Sequence, residues 1–123
     1  MSEPTGPFVI TTCRGPQEPE LASLPFVVGN GVLALETPCT IILQASATLL
    51  AVRGGADHTF ARELPPLKTL IALFLEHGGK LLVSLPGMQS RKIATGELLE
   101  GVEIIAVTRL ALECLEARAV LSY

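Results

Sequence analysis

Residues 65–84 read PPLKTLIALFLEHGGKLLVS, and this stretch sets the fold. Two prolines suit the opening of a helix, where the first N–H groups have no intrahelical partner and the pyrrolidine ring already holds a helical φ. Leu67, Leu70, Ile71, Phe74 and Leu75 follow at helical spacing and form one apolar face. Gly78 and Gly79 end the helix, because glycine readily takes the left-handed conformation that follows a last turn. Lys80-Leu81-Leu82-Val83 is then a short, unbroken apolar run, the pattern of a strand covered on both faces. A helix delivered straight into a doubly buried strand is half of a βαβ crossover, so the sheet is expected to be parallel.

The same rhythm extends in both directions. Upstream, Phe8-Val9-Ile10-Thr11-Thr12 is a β-branched strand closed by the breakers Cys13-Arg14-Gly15-Pro16. From Leu21, the positions Leu24, Val28, Val32 and Leu35 repeat at helical spacing, with Pro25 expected in the first turn; this helix is apolar nearly all round and should be buried on two sides. Thr40-Ile41-Ile42-Leu43-Gln44 is a second, continuously apolar strand, followed by a short helix from Ala45 to Val52 and a turn at Gly54-Gly55-Ala56-Asp57-His58. Downstream, Leu85-Pro86-Gly87 reads as a turn into a short helix around Gln89 to Ile93. Val102 to Ala106 is a fourth strand, Thr108 caps a helix from Arg109 to Ala117, and Ala119 to Ser122 is a fifth strand.

Five strands alternating with helices predict a single α/β domain: a doubly wound, five-stranded, mainly parallel sheet with helices on both faces. The flavodoxin-like strand order 2-1-3-4-5 suits this count. The domain should span residues 7–123, behind a flexible N-terminus of residues 1–6 rich in Ser, Glu, Pro, Thr and Gly. In such sheets the ligand crevice opens at the carboxyl ends of the strands where the winding reverses. With that order the crevice lies between the first and third strands, whose exits are Cys13 and Ser84.

Composition narrows the function. At 49% hydrophobic and 17% charged residues, with mean hydropathy +0.50, a chain of 123 residues has little polar material for its surface, so a homo-oligomer is expected. Pro25, Gly29, Asn30, Gly31 and Gln44 interrupt the longest apolar stretches, which argues against a membrane span, and the N-terminal residues lack a basic-then-apolar leader. A cytoplasmic location follows as an expectation. A net charge of −3 with no basic stripe, four Phe, one Tyr and no Trp argues against nucleic acid as a partner. Cys13, Cys39 and Cys114 have no ligand spacing, so neither metal nor cofactor is expected and the thiols should be free.

Several pieces in order carry a family resemblance: Leu64-Pro65-Pro66-Leu67, His77-Gly78-Gly79-Lys80, Leu81-Leu82-Val83, Arg91-Lys92-Ile93, Glu97-Leu98-Leu99-Glu100-Gly101-Val102-Glu103-Ile104 and Ala119-Val120-Leu121-Ser122-Tyr123. The chain resembles the DsrE/DsrF-like family over nearly its whole length. That resemblance implies a flavodoxin-like fold, assembly into trimers or hexamers, and, in active members, sulfur carried as a cysteine persulfide between sulfur-relay partner proteins. Many members carry a Cys just past the third strand, before the Arg that aligns with Arg91. Here those positions read Ser84 and Gly87, and a serine hydroxyl, not ionised near neutral pH, cannot form a persulfide.

Two readings follow. In the first, the chain is a non-catalytic, degenerate DsrE-like protein that binds a partner protein or small ligand in the switch-point crevice. The strand exit and helix start at Ser84, Leu85, Gly87 and Met88 would then present free N–H groups, with Arg91, Arg14 and His58 as polar contributors. In the second, it is a sulfurtransferase-type carrier with Cys13 as the transferring thiol and Arg14 favouring the thiolate. The bland alternatives are a packed Cys13 at a strand end and a solvated His58 in its loop.

Overall fold

The computed structural model describes residues 5–123; the proposed flexible N-terminus lies mostly outside them. Five strands, β1 (Phe8–Thr12), β2 (Cys39–Leu43), β3 (Lys80–Ser84), β4 (Glu103–Ile105) and β5 (Ala119–Ser122), form one sheet in which every pairing is parallel. Four α-helices connect them: α1 (Pro19–Ala34), α2 (Leu67–Glu76), α3 (Leu85–Ser90) and α4 (Val107–Leu115). A 3₁₀ segment (Ala45–Ala51) follows β2, and a 3₁₀ turn (Thr95–Glu97) precedes β4.

The doubly wound α/β class holds, but the strands run β4-β3-β2-β1-β5 rather than 2-1-3-4-5. β2 therefore stands between β1 and β3. Right-handed crossovers explain the layout: each step from β1 to β4 moves one strand in the same direction, so its connection lies on one face, and the return from β4 to β5 must cross the other face. On the first face, Ile10, Ile41, Leu43, Leu81 and Val83 meet a core that includes Phe26 of α1 and Phe74 of α2. On the second, Val9, Ile42, Leu82 and Ile105 meet Leu110 and Cys114 of α4 and Ala117 just after it. Alternate residues of one strand thus enter different cores, which is why β2 is buried at every position.

α1 packs on β1, β2 and α2. Gly29 lets it approach closely: a Cβ there would lie 3.0 Å from both Ile41 Cδ1 and Phe74 Cε1. The rings of Phe26 and Phe74 meet edge to face, centroids 5.8 Å apart, a favoured aromatic geometry. Three element boundaries differ from the sequence reading. Pro19, not Pro25, occupies the first turn of α1; Pro25 lies buried inside the helix, where its ring forgoes one backbone hydrogen bond. α3 begins directly at Leu85, since Pro86 is admissible in a first turn and no separate turn is needed. α4 begins at Val107 behind Ala106, so Thr108 is inside the helix and does not cap it. Among the described residues no helix is long and apolar enough to cross a membrane.

Candidate functional site

The reversal of winding falls between β1 and β5, not between β1 and β3. α1 leaves β1 over one face and α4 arrives at β5 over the other, so the crevice predicted for such sheets opens at the carboxyl ends of these two strands. Cys13 stands there, exposed. Its N–H donates to the Tyr123 carbonyl at 3.2 Å, which extends the β1–β5 ladder one residue past β1. By strand alternation the thiol shares the α4 side of the sheet with Thr11, whose hydroxyl is 2.8 Å from that of Ser122. A free thiol beside two surface hydroxyls is therefore the polar content of this corner.

The loop that carries the thiol is held on several sides. The Arg14 N–H donates to Thr12 Oγ1 at 3.2 Å, and the Gln44 N–H donates to the Thr12 carbonyl at 2.9 Å. Gly15 is pressed against the next connection: a Cβ at that position would lie 2.6 Å from the Ser46 carbonyl oxygen. The guanidinium of Arg14 reaches Glu18 at 3.3 Å, so its charge is shared with a carboxylate one helical turn on, and both side chains are nearly half exposed.

Ser84 lies on the same edge. Thr12, Leu43 and Val83 stand side by side in the register, and Cys13, Gln44 and Ser84 follow them. Two strand spacings put Cys13 and Ser84 roughly 10 Å apart, with β2 between them. Ser84 is 8% exposed and precedes α3 without capping it. Gly87 is buried against Thr48, Met88 belongs to the core, and Leu85 is partly exposed. Arg91 bends back to donate to the Gly87 carbonyl at 3.3 Å and to Ser46 Oγ at 3.5 Å, which ties α3 to the 3₁₀ segment. His58 is exposed in the turn after that segment. This turn is attached on the β4 side, through Arg53 N–H to the Glu97 carbonyl and a bridge between Val52 and Leu98, so His58 stands apart from Cys13.

The other thiols are enclosed. Cys39 opens β2 in the first core, and burial pushes its pKa up to about 11. Cys114 is half-buried on the inner side of α4, against the second core. Two cavities, of about 390 and 340 Å³, lie away from the thiol corner, one beside α2 and the 53–58 turn and the other between α1 and α2. Among the described residues no group of three or more His, Cys, Asp and Glu gathers as metal ligands would.

The sequence profile of the DsrE/DsrF-like family matches residues 7–123. The chain belongs to that family. Among solved structures, the DsrE/DsrF-like domain is similar to the YchN protein from E. coli, with a TM-score of 0.81 at 20% identity over 96% of this chain and 99% of the other. At that identity the likeness is one of fold. No curated protein is significantly similar in sequence. The family is related to sulfur relay, and in this member Ser84 is the last residue of β3.

Sequence reasoning brought Cys13 and Ser84 to one edge but assigned them to neighbouring strands. It missed Thr11, Ser122 and Tyr123 as surroundings of the thiol, because β5 was not recognised as the second partner of β1. A usable signal was present: β2 is continuously apolar, which suits an interior strand and not the edge that 2-1-3-4-5 would give it.

Proposed function

We propose that the protein is a sulfur carrier that uses Cys13 in place of the cysteine its relatives hold after the third strand. The observation that carries this reading is the position of the exposed Cys13 at the carboxyl end of β1, at the reversal of winding between β1 and β5. The chemistry needs only a thiolate and a partner. The Cys13 thiolate attacks the outer sulfur of a donor persulfide R–S–SH, the donor S–S bond breaks, R–S⁻ leaves and takes up a proton, and Cys13 becomes a persulfide. An acceptor thiolate then attacks the outer sulfur of that persulfide, and the Cys13 thiolate is released. No external oxidant or reductant is consumed. An open corner suits such an exchange, since both partners bring their sulfur on a protein and neither needs an enclosed pocket.

The carrier works in the reducing cytoplasm as a trimer or hexamer and meets sulfur-relay partner proteins. Val107, Leu112 and Leu115 on α4 and Val120 on β5 are large apolar side chains exposed on the single chain, which supports their coverage by other copies. A second reading, in which the chain has lost transfer chemistry and only binds a partner or small ligand, is favoured by Ser84, a buried hydroxyl where many relatives have a thiol. Incubation of the full chain with a small-molecule persulfide donor, followed by intact-mass and peptide analysis, separates the two. The carrier reading expects the mass of one sulfur atom added at Cys13 and removed by a thiol acceptor. Cys13 left unmodified would favour the binding reading.

A further inference from the structure

The cavity of about 390 Å³ beside α2 is lined by residues of the 3₁₀ segment, the turn after it, α2 and the chain before β4, and by none of the Cys13 loop. Its floor is apolar, supplied by Leu50, Ile71, Leu75 and Leu99, with the exposed Ala72 at its edge. Its rim is charged and balanced: Arg53 and Lys68 bring two cations, Asp57 and Glu100 two carboxylates. An apolar depression of this volume with a few convergent polar groups has the form of a small-molecule site.

The walls are built in place. The Arg53 N–H donates to the Glu97 carbonyl at 2.8 Å and the Leu99 N–H to the Ala51 carbonyl at 2.8 Å, so the two chain segments that flank the cavity are laced together. The Arg53 guanidinium is fixed by the carbonyls of Leu98 and Gly96, which holds its charge at the mouth. Gly54, at φ +81°, and Gly55, where a Cβ would strike the Leu49 carbonyl, shape the turn that brings Asp57 to the rim. Lys68 and Asp57 face each other at 3.7 Å with side chains 71% and 42% exposed, a loose pair that a ligand can part at small cost.

We propose that this cavity binds a small zwitterion with an apolar side group, in the size range of a free apolar α-amino acid. Charge complementarity selects the class. A carboxylate is drawn to Arg53 and Lys68, an ammonium group to Asp57 and Glu100, and the apolar group covers the Leu50–Ile71–Leu75–Leu99 floor. A ligand of single charge satisfies one pair and leaves the other facing a like charge.

The test is NMR titration of the full chain with leucine, methionine and phenylalanine, each against its analogue lacking the carboxylate and its analogue lacking the amino group. The expected result is saturable shifts confined to residues 50–57, 68–75 and 98–100 for at least one amino acid, with both analogues weaker by about tenfold or more. Ala72→Phe, an exposed helix position whose ring would fill the cavity, should abolish the shifts while the rest of the amide spectrum is kept. Glu100→Gln, which keeps the shape, should weaken amino-acid binding without weakening the analogue that lacks the amino group. The proposal is overturned by an absence of saturable binding at millimolar concentration, by shifts that map elsewhere, by equal binding of an analogue, or by binding that survives in folded Ala72→Phe.

Discussion

Cys39 and Cys13 sit at opposite ends of two neighbouring parallel strands, one opening β2 inside the core and the other just past the end of β1 on the surface. Alkylation under native conditions should therefore modify Cys13 first, with Cys39 protected until the chain unfolds; peptide mapping after timed iodoacetamide treatment reads this directly. Ser84→Cys should react more slowly than Cys13, because the position is 8% exposed. The raised pKa of Cys39 also has a stability consequence. Between its usual value of 9.0 and the folded value of about 11, the unfolded chain releases a proton that the folded chain keeps, so stability falls as pH rises through that interval. Denaturant melts of the native chain should weaken over this range more than those of Cys39→Ala, which lacks the titrating thiol. Equal pH slopes would show that burial does not hold the thiol neutral.

At the level of elements, two contacts decide whether the thiol corner keeps its shape. Gly15→Ala would drive a Cβ into the Ser46 backbone, so it should cost about 1–3 kcal/mol of stability and change the rate at which Cys13 is alkylated. On the other face, α4 is tied to β3 and β4 by a chain of ions: Lys80 to Glu113 at 3.1 Å, Glu113 to Arg109 at 3.2 Å, and Arg109 to Glu103 at 3.0 Å. Burial acts to raise the Glu113 pKa, but hydrogen bonds from Lys80 and Arg109 outweigh it and the net shift is downward. A lowered carboxylate pKa stabilises the fold above its unfolded value, and that contribution is lost as pH falls through the folded value. Glu113→Gln should accordingly flatten the acid limb of the stability profile, measured by urea melts. The elements themselves were legible in the sequence because apolar spacing and glycine stops are local signals; Leu67 to Ser84 folds as its pattern reads, with Pro65 and Pro66 just ahead of the helix and not in its first turn. Strand order was not, because it depends on which face each crossover takes, and a helix with apolar residues nearly all round, such as α1, does not declare that face.

For the whole molecule, the distribution of apolar surface follows from having three helices and two 3₁₀ pieces linking β1 to β4 but one nine-residue helix crossing back to β5. α4 has no fully buried residue, and Leu115 is 83% exposed at its end. The oligomer proposed above predicts that Leu115→Glu lowers the assembly state while leaving the fold and the Cys13 thiol intact; light scattering with far-UV circular dichroism checks both. A native chain that is monomeric at micromolar concentration would contradict it.

Carriage of sulfur on Cys13, as proposed above, is open to direct test. The most direct measurement follows one labelled sulfur atom by mass spectrometry from a persulfide donor, through the protein, to an acceptor thiol, in the native chain, Cys13→Ser and Cys114→Ser. Label is expected on the Cys13 peptide, with transfer to the acceptor, in the native chain and Cys114→Ser, and neither in Cys13→Ser. Label that resides on Cys114, or transfer that persists in Cys13→Ser, would contradict it.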